Sequence, residues 1–422
     1  MEIEGLKGII ADQRAELEEK FKKERIVERE KVGYARKFLR HPNILAVLGV
    51  RRCGKSIFSV LLAREMGGNF GCVNFDDERL VGIGAKGLNK ILQAFYELYR
   101  KIDLVILDEP QNVNGWELFA NRLRRTKRVI VTGSNSQLLS GELATALTGR
   151  HVDVNMFPFS FREVLGFKPN VYLTEDVARV KRELEKYLKG SGFPEFSKFG
   201  PRIVINIYED VINKDCIRRH RIRNERSFRE LAKYLVSNFS SEFTYSKLSK
   251  ITGIKDVHTV KNYVEYLHQA FLIHVLERFS FKLKQQFIAP KKTYVVDHGL
   301  ANFMGFGLEK NMGRTYENLV CTELLNRVSE KHDEGIYYYK DSQGREVDFV
   351  HWKGGRIKQL IQVCYDLSDL STRERELKSL TKASRELRCR DLLVITHDHE
   401  GGEKFDGKMV KFMPLWKWLL GG

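Results

Sequence analysis

The sequence predicts an α/β protein that begins with a parallel sheet, continues through a helical region and ends in a second α/β domain. Short apolar runs alternate with helical segments between residues 41 and 170, and the alternation returns after residue 306. From 171 to 305 helical periodicity dominates. We therefore divide the 422 residues into charged helices (1–40), a first core (41–170), a middle domain (171–305) and a last domain (306–422).

The first core is predicted to hold five strands with helices on both faces of the sheet. Because helices connect the strands, the strands should run parallel. Residues Ala11–Arg40 before them are highly charged and predict one or two solvated helices. The predicted strands are Ile44–Gly49, Cys72–Phe75, Leu104–Leu107, Val129–Val131 and Val152–Met156, and the helices are Ile57–Met66, Gly87–Lys101, Trp116–Arg125 and Gln137–Leu147.

Composition narrows the class of protein. The formal charge is +17, from 72 Lys and Arg against 55 Asp and Glu, which suits a nucleic-acid partner but would also arise in a basic proteome. The six cysteines form no C-x-x-C pair, so neither a zinc site nor a disulfide framework is indicated. No apolar run reaches the ~18 residues of a membrane span, and we expect a cytoplasmic protein that does not bind membranes.

The segment from Gly49 to Ser56 fits G-x-x-x-x-G-K-[ST], the phosphate-binding loop of nucleoside triphosphatases. Glycines let successive N–H groups point at phosphate oxygens, Lys55 supplies a cation, and the Ser56 hydroxyl can bind Mg²⁺. An ordinary glycine-rich turn is the alternative. The residues expected to bind ATP are Gly49, Val50, Arg51, Arg52, Cys53, Gly54, Lys55, Ser56 and Ile57.

Two carboxylates follow the apolar run Leu104–Leu107 directly. Hydrolysis of a nucleoside triphosphate needs one carboxylate for the metal ion and one that polarises the attacking water. We therefore expect Asp108 to hold, through water, the Mg²⁺ that Ser56 binds, and Glu109 to act as the base. Acidic residues at the end of a buried strand also serve as helix caps, which is the alternative interpretation.

Two further groups are candidates near the nucleotide. The tip Thr132–Asn135 follows the next strand, so that Ser134 could contact the γ-phosphate and Asn135 could orient water, although a polar turn would look the same. Arg150 could act on the nucleotide of a neighbouring copy in a homo-oligomer, or it could be an ordinary solvated or ion-paired arginine.

Seven motifs occur in a fixed order along the chain. They are Gly49–Ser56, Val73–Asp77, Leu104–Glu109, Thr132–Asn135, Leu147–Arg150, Phe157–Phe161 and Gly192–Glu195. Together they resemble those of an archaeal and bacterial AAA+-type ATPase family, over about Ile44 to Phe412. The resemblance implies that the Val129 strand lies between the Ile44 and Leu104 strands, and that a winged helix and a domain related to restriction endonucleases follow.

The middle domain offers candidate DNA contacts. Three helices (Phe228–Phe239, Tyr245–Ile251 and Val257–Ala270) precede a predicted hairpin, which is typical of a winged helix. A solvated face, a subunit contact or an ATPase lid would explain the same features. The basic run is Lys214, Arg218, Arg219, Arg221, Arg223, Arg226 and Arg229; the groove candidates are Lys255, His258, Lys261 and Asn262; the wing candidates are Lys282, Lys284 and Lys291.

The last domain resembles a restriction endonuclease with parts of its site missing. Such sites use a helix Glu, a strand Asp and then Glu-x-Lys, which bind Mg²⁺ and steady the attacking water. Glu317 and Asp348 match, but Gln362 and Cys364 stand where Glu and Lys are expected. We expect no nuclease turnover, unless a migrated base such as Lys358 or Lys340 restores the site.

The sequence thus predicts an Mg²⁺-dependent ATP hydrolase that couples its nucleotide state to DNA binding or remodelling. ATP and Mg²⁺ are the expected cofactors, DNA the expected partner, and a homo-oligomer would be needed if Arg150 acts in trans. A nucleotide-controlled signalling switch without nucleic acid and an ATP-gated nuclease are the alternatives.

Overall fold

The structure is a computed structural model that describes residues 1–136, 149–304 and 312–421. The chain divides into two compact units, a first unit of Met1–Phe157 with Gln269–Phe271 and a second unit of Pro158–His268 with Leu272–Gly422. The predicted helix at Gln137–Leu147 lies outside the described residues.

The first unit contains a five-stranded parallel sheet in the order β2-β3-β4-β1-β5. This order confirms that β4 lies between β1 and β3. The strands are β1 (Ile44–Gly49), β2 (Phe70–Asn74), β3 (Leu104–Asp108), β4 (Arg128–Gly133) and β5 (His151–Met156), and the helices are α1 (Ile3–Lys23), α2 (Val32–Phe38), α3 (Lys55–Met66), α4 (Ala85–Tyr99) and α5 (Trp116–Leu123).

Burial explains the composition of these strands. Every residue of β1 and β3 is buried, because helices cover both faces of a parallel sheet and leave no polar side. Helix α1 begins at Ile3, before the segment Ala11–Arg40 that is predicted to be solvated, and its residues Leu6, Ile9 and Ile10 join the core at helical spacing. Within the predicted segment, Val32 and Ala35 of α2 are buried, which corrects the prediction there.

The second unit contains a three-stranded antiparallel sheet in the order β6-β8-β7. The strands are β6 (Ser241–Phe243), β7 (Ile273–Leu276) and β8 (Lys291–Val295). The helices up to this point are α6 (Phe161–Leu165), α7 (Thr174–Lys189), α8 (Phe196–Phe199), α9 (Pro201–Asp210, continued by π-helical turns at Val211–Arg218), α10 (Glu225–Ser237), α11 (Tyr245–Thr252), α12 (Val257–Gln269) and α13 (Leu283–Ile288).

The remainder of the second unit is built on a six-stranded sheet in the order β13-β14-β12-β11-β10-β9. Strands β9 to β11 form an antiparallel meander, and β12 and β14 continue the sheet in parallel with β11. The strands are β9 (Glu334–Lys340), β10 (Glu346–Lys353), β11 (Arg356–Cys364), β12 (Leu392–Thr396), β13 (Gly401–Phe405) and β14 (Lys408–Pro414), and the helices are α14 (His298–Met304), α15 (Met312–Val328), α16 (Leu370–Glu386) and α17 (Leu415–Leu419).

The two sheets of the second unit are joined through the chain that follows β7. The backbone N–H of Phe279 donates to the Tyr338 carbonyl oxygen at 2.6 Å, and the Tyr338 N–H donates to the Glu277 carbonyl oxygen at 3.1 Å. The sheet core packs on α15 on one face and on α16 on the other. Within the described ranges, no helix combines the length and apolar character that crossing a membrane requires.

Candidate nucleotide site

The loop between β1 and α3 requires glycine at Gly49. Its φ is +155°, and a Cβ there would lie 2.1 Å from the carbonyl oxygen of Met156, so no side chain fits. Gly54 also has a positive φ, of 99°, immediately before α3 begins. The side chains of Val50 and Cys53 are buried inside the loop, and burial raises the pKa of the Cys53 thiol. The loop is therefore a backbone cradle at a helix N-terminus.

Lys55 and Ser56 begin α3 and face the end of β3. The Lys55 Nζ donates to the carbonyl oxygens of Gly49 at 3.0 Å and Val50 at 3.2 Å, so the ammonium lies across the cradle. It is also 3.6 Å from Glu109 Oε1. The Ser56 hydroxyl donates to Asp108 Oδ2 at 2.7 Å. Ile57 follows on the same helix and is partly buried.

The tip of β4 holds the two carboxylates of β3 in place. The Thr132 hydroxyl donates to Asp108 and accepts the Glu109 backbone N–H at 3.1 Å. Glu109 Oε2 accepts both the N–H and the hydroxyl of Ser134 at 3.2 Å, and accepts the amide of Gln111 at 2.5 Å. Glu109 adopts a left-handed backbone with φ 52°, a strained conformation that tertiary contacts must maintain.

The surroundings shift the pKa values of the two carboxylates in opposite directions. Burial raises the pKa of Asp108, and the neighbouring charge of Glu109 raises it further. Burial also acts to raise the pKa of Glu109, but Lys55, the hydrogen bond from Gln111 and the charge of Arg51 lower it below its usual value. Glu109 is therefore ionised at neutral pH and able to accept a proton.

The donor set fits Mg²⁺ and a phosphate chain. A serine hydroxyl and a carboxylate only 2.7 Å apart are hard oxygen ligands of the kind that Mg²⁺ prefers. The loop that begins at Gly49 would contact an anion through backbone groups and the Lys55 ammonium, and the loop itself contains no carboxylate. Ser134 and Asn135 are buried at the tip of the central strand β4, next to Glu109.

Arg150 lies at the amino-terminal end of the parallel strands, whereas the phosphate-binding loop follows the carboxyl-terminal end of β1. Its carbonyl oxygen accepts the N–H of Ile44 at 2.9 Å, which places it where β1 and β5 begin, whereas Gly49 pairs with Met156 where they end. The two ends of β1 are roughly 16 Å apart, because Gly49 lies five residues after Ile44 along the strand. The exposed Arg150 therefore cannot reach the nucleotide of its own chain, which leaves a neighbour's nucleotide or the role of an ordinary solvated or ion-paired arginine.

Sequence reasoning missed the residues that support the loop from behind. The Arg29 guanidinium donates to the carbonyl oxygens of Cys53 at 2.8 Å and Phe157 at 2.6 Å. The Lys31 ammonium donates to the Asn155 carbonyl oxygen at 2.6 Å. Both residues belong to the charged segment that seemed solvated, and no motif there distinguishes a buried arginine from an exposed one.

In the second unit, Glu317 of α15 and Asp348 of β10 converge on an unexpected residue, Lys292 of β8. The Lys292 Nζ is 2.8 Å from Glu317 Oε1 and 3.6 Å from Asp348 Oδ1, and it also pairs with the carboxylate of Glu346. The Tyr294 hydroxyl donates to the same Glu317 oxygen at 2.7 Å.

The other nuclease-like positions point elsewhere. Gln362 accepts the backbone N–H of Asp348 at 3.2 Å but donates its amide to Glu376 Oε2 at 2.7 Å, and the Cys364 thiol donates to the carbonyl oxygen of Asp366 at 3.2 Å. Of the two candidate migrated bases, Lys358 is exposed, whereas Lys340 pairs with Glu242 at 2.7 Å and with Glu346 at 3.5 Å.

The basic run contributes fewer surface charges than its sequence suggests. Ion pairs engage Lys214, Arg219, Arg226 and Arg229. Arg218, Arg221 and Arg223 are exposed, and in the described part of the chain no carboxylate pairs with them.

Lys255, His258 and Lys261 are exposed near the start of α12, where Asn262 contacts His258 at 3.3 Å, and Lys282 and Lys284 are exposed at α13. Lys291 is instead buried and pairs with Glu277 at 2.7 Å.

Family models match a described domain at the start of the chain and domains of unknown function in the remainder. A family described as an AAA domain matches residues 41–165. Two domains of unknown function, DUF8612 and DUF4143, match residues 181–311 and 312–418. Among solved structures, the Walker-type ATPase PABY2304 of Pyrococcus abyssi has 16% identity and a TM-score of 0.43, covering 66% of this chain and 96% of that one.

Relatives extend over almost the whole chain. An "Uncharacterized protein" of Haemophilus influenzae is 27% identical over 346 residues, which are 77% of this chain and 83% of that protein. The "Uncharacterized protein MJ1544" of Methanocaldococcus jannaschii is 35% identical over 403 residues, which are 90% of this chain and 89% of that protein. The chain therefore belongs to the same family as this Methanocaldococcus jannaschii protein, and its first unit carries a P-loop ATPase domain of the AAA class.

Proposed function

We propose that this protein is an Mg²⁺-dependent ATP hydrolase that couples its nucleotide state to DNA binding or remodelling. The observation that carries the proposal is the pair of adjacent carboxylates at the end of β3. Asp108 accepts the Ser56 hydroxyl, while the ionised Glu109 faces the Lys55 ammonium. A phosphate cradle alone would bind nucleotide, whereas a cradle beside this pair is equipped for hydrolysis.

Each residue has one task in this proposal. The loop backbone and Lys55 bind the phosphate chain, and Ser56 and Asp108 would hold Mg²⁺, which when bound neutralises phosphate charge. Glu109 orients the attacking water and accepts its proton. Ser134 fixes Glu109, because its N–H and hydroxyl both donate to that carboxylate.

The DNA part of the proposal rests on the second unit. Helices α10, α11 and α12 with sheet β6-β8-β7 have the element order of a winged helix, in which the third helix enters the major groove. Its exposed basic residues stand near the start of α12. His220 stacks on Tyr266 of α12 with ring centroids 3.7 Å apart, so the exposed arginines around it belong to the same surface.

A DNA-stimulated ATPase assay tests the proposal. Duplex DNA should raise phosphate release by the wild type, and this stimulation should fall steeply as the salt concentration rises. Each contact with a DNA phosphate adds about one unit to the slope of log affinity against log salt concentration. Replacing Arg218, Arg221 and Arg223 together by Gln should abolish the stimulation. Arg226→Gln is the matched control, because that arginine is held by Glu230 at 3.0 Å. Stimulation that is absent at low salt refutes the DNA partner.

A second candidate, a nucleotide-controlled switch that binds a protein, is favoured by the surface at α13. Phe281, Leu283, Phe287 and Ile288 are each at least 65% exposed there, which is unusual for large apolar side chains that lie so close together. A partner protein would cover them. ATP turnover that ignores DNA, with complex formation lost in Phe287→Ser, would favour this function over the first.

An oligomer is proposed for one reason only, which is the position of Arg150. Arg150 lies at the end of the strands opposite to the phosphate-binding loop, so it can complete a nucleotide site only in another copy. Sedimentation with and without a non-hydrolysable ATP analogue tests this. A monomer under both conditions would remove Arg150 from the site.

A further inference from the structure

We infer that Lys292 is the built-in cation of the carboxylate cluster formed by Glu317, Glu346 and Asp348, and that it takes the place of the divalent metal ion that a restriction-endonuclease-like site would bind. The inference is independent of the ATPase proposal, because the cluster lies wholly in the second unit. Lys292 comes from strand β8, not from the strands and helix that supply the carboxylates.

The geometry is that of a closed ion-pair network. The Lys292 side chain is only 4% exposed, and its ammonium lies within ion-pair distance of all three carboxylates. The ammonium donates to Glu317 Oε1 at 2.8 Å, whereas Asp348 at 3.6 Å is held by charge alone. Tyr294 gives Glu317 a further donor from the same strand, at 2.7 Å.

Charge compensation explains why a lysine can be buried here. Burial alone would lower the pKa of Lys292, but the charges of Glu317, Asp348 and Glu346 raise it well above its usual value. The ammonium therefore stays protonated. Its removal would leave three acidic groups close together in a poorly solvated place, which is strongly unfavourable.

The ligand set does not fit a bound metal. Mg²⁺ requires about six oxygen ligands near 2.1 Å, and a buried ammonium already stands among these oxygens. The second oxygen of Asp348 accepts the Val363 N–H at 2.9 Å, and Gln362 is turned toward Glu376. Over the described ranges, no group of three or more His, Cys, Asp or Glu residues is arranged to hold a metal ion.

Lys292 does not make the site catalytic. The three carboxylates hold its ammonium, so neither it nor they can position a metal-bound water for attack on a phosphodiester. The cluster instead fastens β8 to α15 and β10, and the family of unknown function that begins at residue 312 receives its central cation from the segment before it.

Manganese binding to the nucleotide-free full chain tests the inference. Free Mn²⁺ is measured by electron paramagnetic resonance in the wild type, Asp348→Asn, Lys292→Met, Lys292→Met with Asp348→Asn, and Lys291→Met. The last is the matched control, because Lys291 lies on the same strand but pairs with Glu277 outside the cluster. A site should appear only in Lys292→Met, at least about tenfold tighter than any binding by the wild type, since without the ammonium the carboxylates are uncompensated and would rearrange around a divalent cation.

Thermal unfolding gives a second readout. In metal-free buffer Lys292→Met should melt about 5 °C or more below the wild type, and Mn²⁺ should restore part of the loss, whereas Lys291→Met should show no response to metal. If Lys292→Met is recovered only as unfolded chain, its refolding yield with and without Mn²⁺ gives the same comparison. Two results overturn the inference: Mn²⁺ binding by the wild type that Asp348→Asn removes, or a folded Lys292→Met that gains no Mn²⁺ site.

Discussion

The conversion of Glu109 to glutamine is the sharpest perturbation of the nucleotide site. The side chain keeps its size, but it loses the charge that we propose accepts the proton of the attacking water. Both of its oxygens now face donors: Oε1 faces the Lys55 ammonium at 3.6 Å, and Oε2 accepts Gln111 and Ser134. An amide has only one oxygen, so one donor set must face an NH₂ group.

Two magnitudes follow from this geometry. Loss of a general base lowers the rate of the chemical step by about 10²- to 10⁴-fold. A buried donor left facing another donor costs about 1–3 kcal/mol, so Glu109→Gln should also unfold at lower urea concentration than the wild type. ATP binding should not weaken, because the loss of a negative charge beside the phosphates cannot disfavour an anion.

Single-turnover phosphate release and titration with a fluorescent ATP analogue separate these effects. Glu65→Gln is the control, since Glu65 lies at the exposed end of α3 and pairs with Arg36 at 3.7 Å. We expect slow release with intact binding in Glu109→Gln and wild-type behaviour in Glu65→Gln. Phosphate release at the wild-type rate by Glu109→Gln would show that this carboxylate is not the base.

Three further predictions concern other parts of the chain. Lys55→Met should weaken binding of the ATP analogue by about 10- to 100-fold, the value of a charge-assisted hydrogen bond, and unchanged affinity would contradict its role. Arg29→Met should lower the urea stability of the first unit by about 2–4 kcal/mol, because it removes the bonds to Cys53 and Phe157; an unaltered midpoint would show that they are dispensable. Burial lowers the pKa of His274 to about 3, below its unfolded value of ~6.5, so stability should fall by about 2 kcal/mol from pH 7 to pH 5, and His274→Gln should flatten that slope; a parallel slope in the variant would contradict the assignment.

The sequence was sufficient to predict the five parallel strands because each is a short apolar run between helices. The segment Ala11–Arg40 was mispredicted as solvated throughout, since its few buried residues, such as Val32 and Ala35, are outnumbered by charges. The apolar residues Leu6, Ile9 and Ile10 of α1 lie before that segment. The last hairpin, β13 with β14, was missed, although a signal was present. Asp406 and Gly407 have φ of 54° and 79°, and an Asp-Gly pair between alternating strands is a strong hairpin signal.

The candidate sites differ in how far a sequence can predict them. Asp108 and Glu109 are placed by one strand end, so a local motif identifies them. Lys292 could not be identified in this way, because its partners Glu317 and Glu346 are 25 and 54 positions further along the chain. Only the tertiary packing of β8 beside α15 brings a lysine to the carboxylates of the nuclease-like pattern.

The origin of Lys292 has a consequence for how this protein can be divided. Family boundaries place a border between residues 311 and 312, and an expression plasmid for the last domain alone would be cut there. Such a fragment would keep Glu317, Glu346 and Asp348 but lose the ammonium that neutralises them, together with the pairing of Tyr338 to the segment after β7. The evolutionary border and the cooperative folding border therefore do not coincide, and the shortest autonomous fragment of this region has to include β7 and β8.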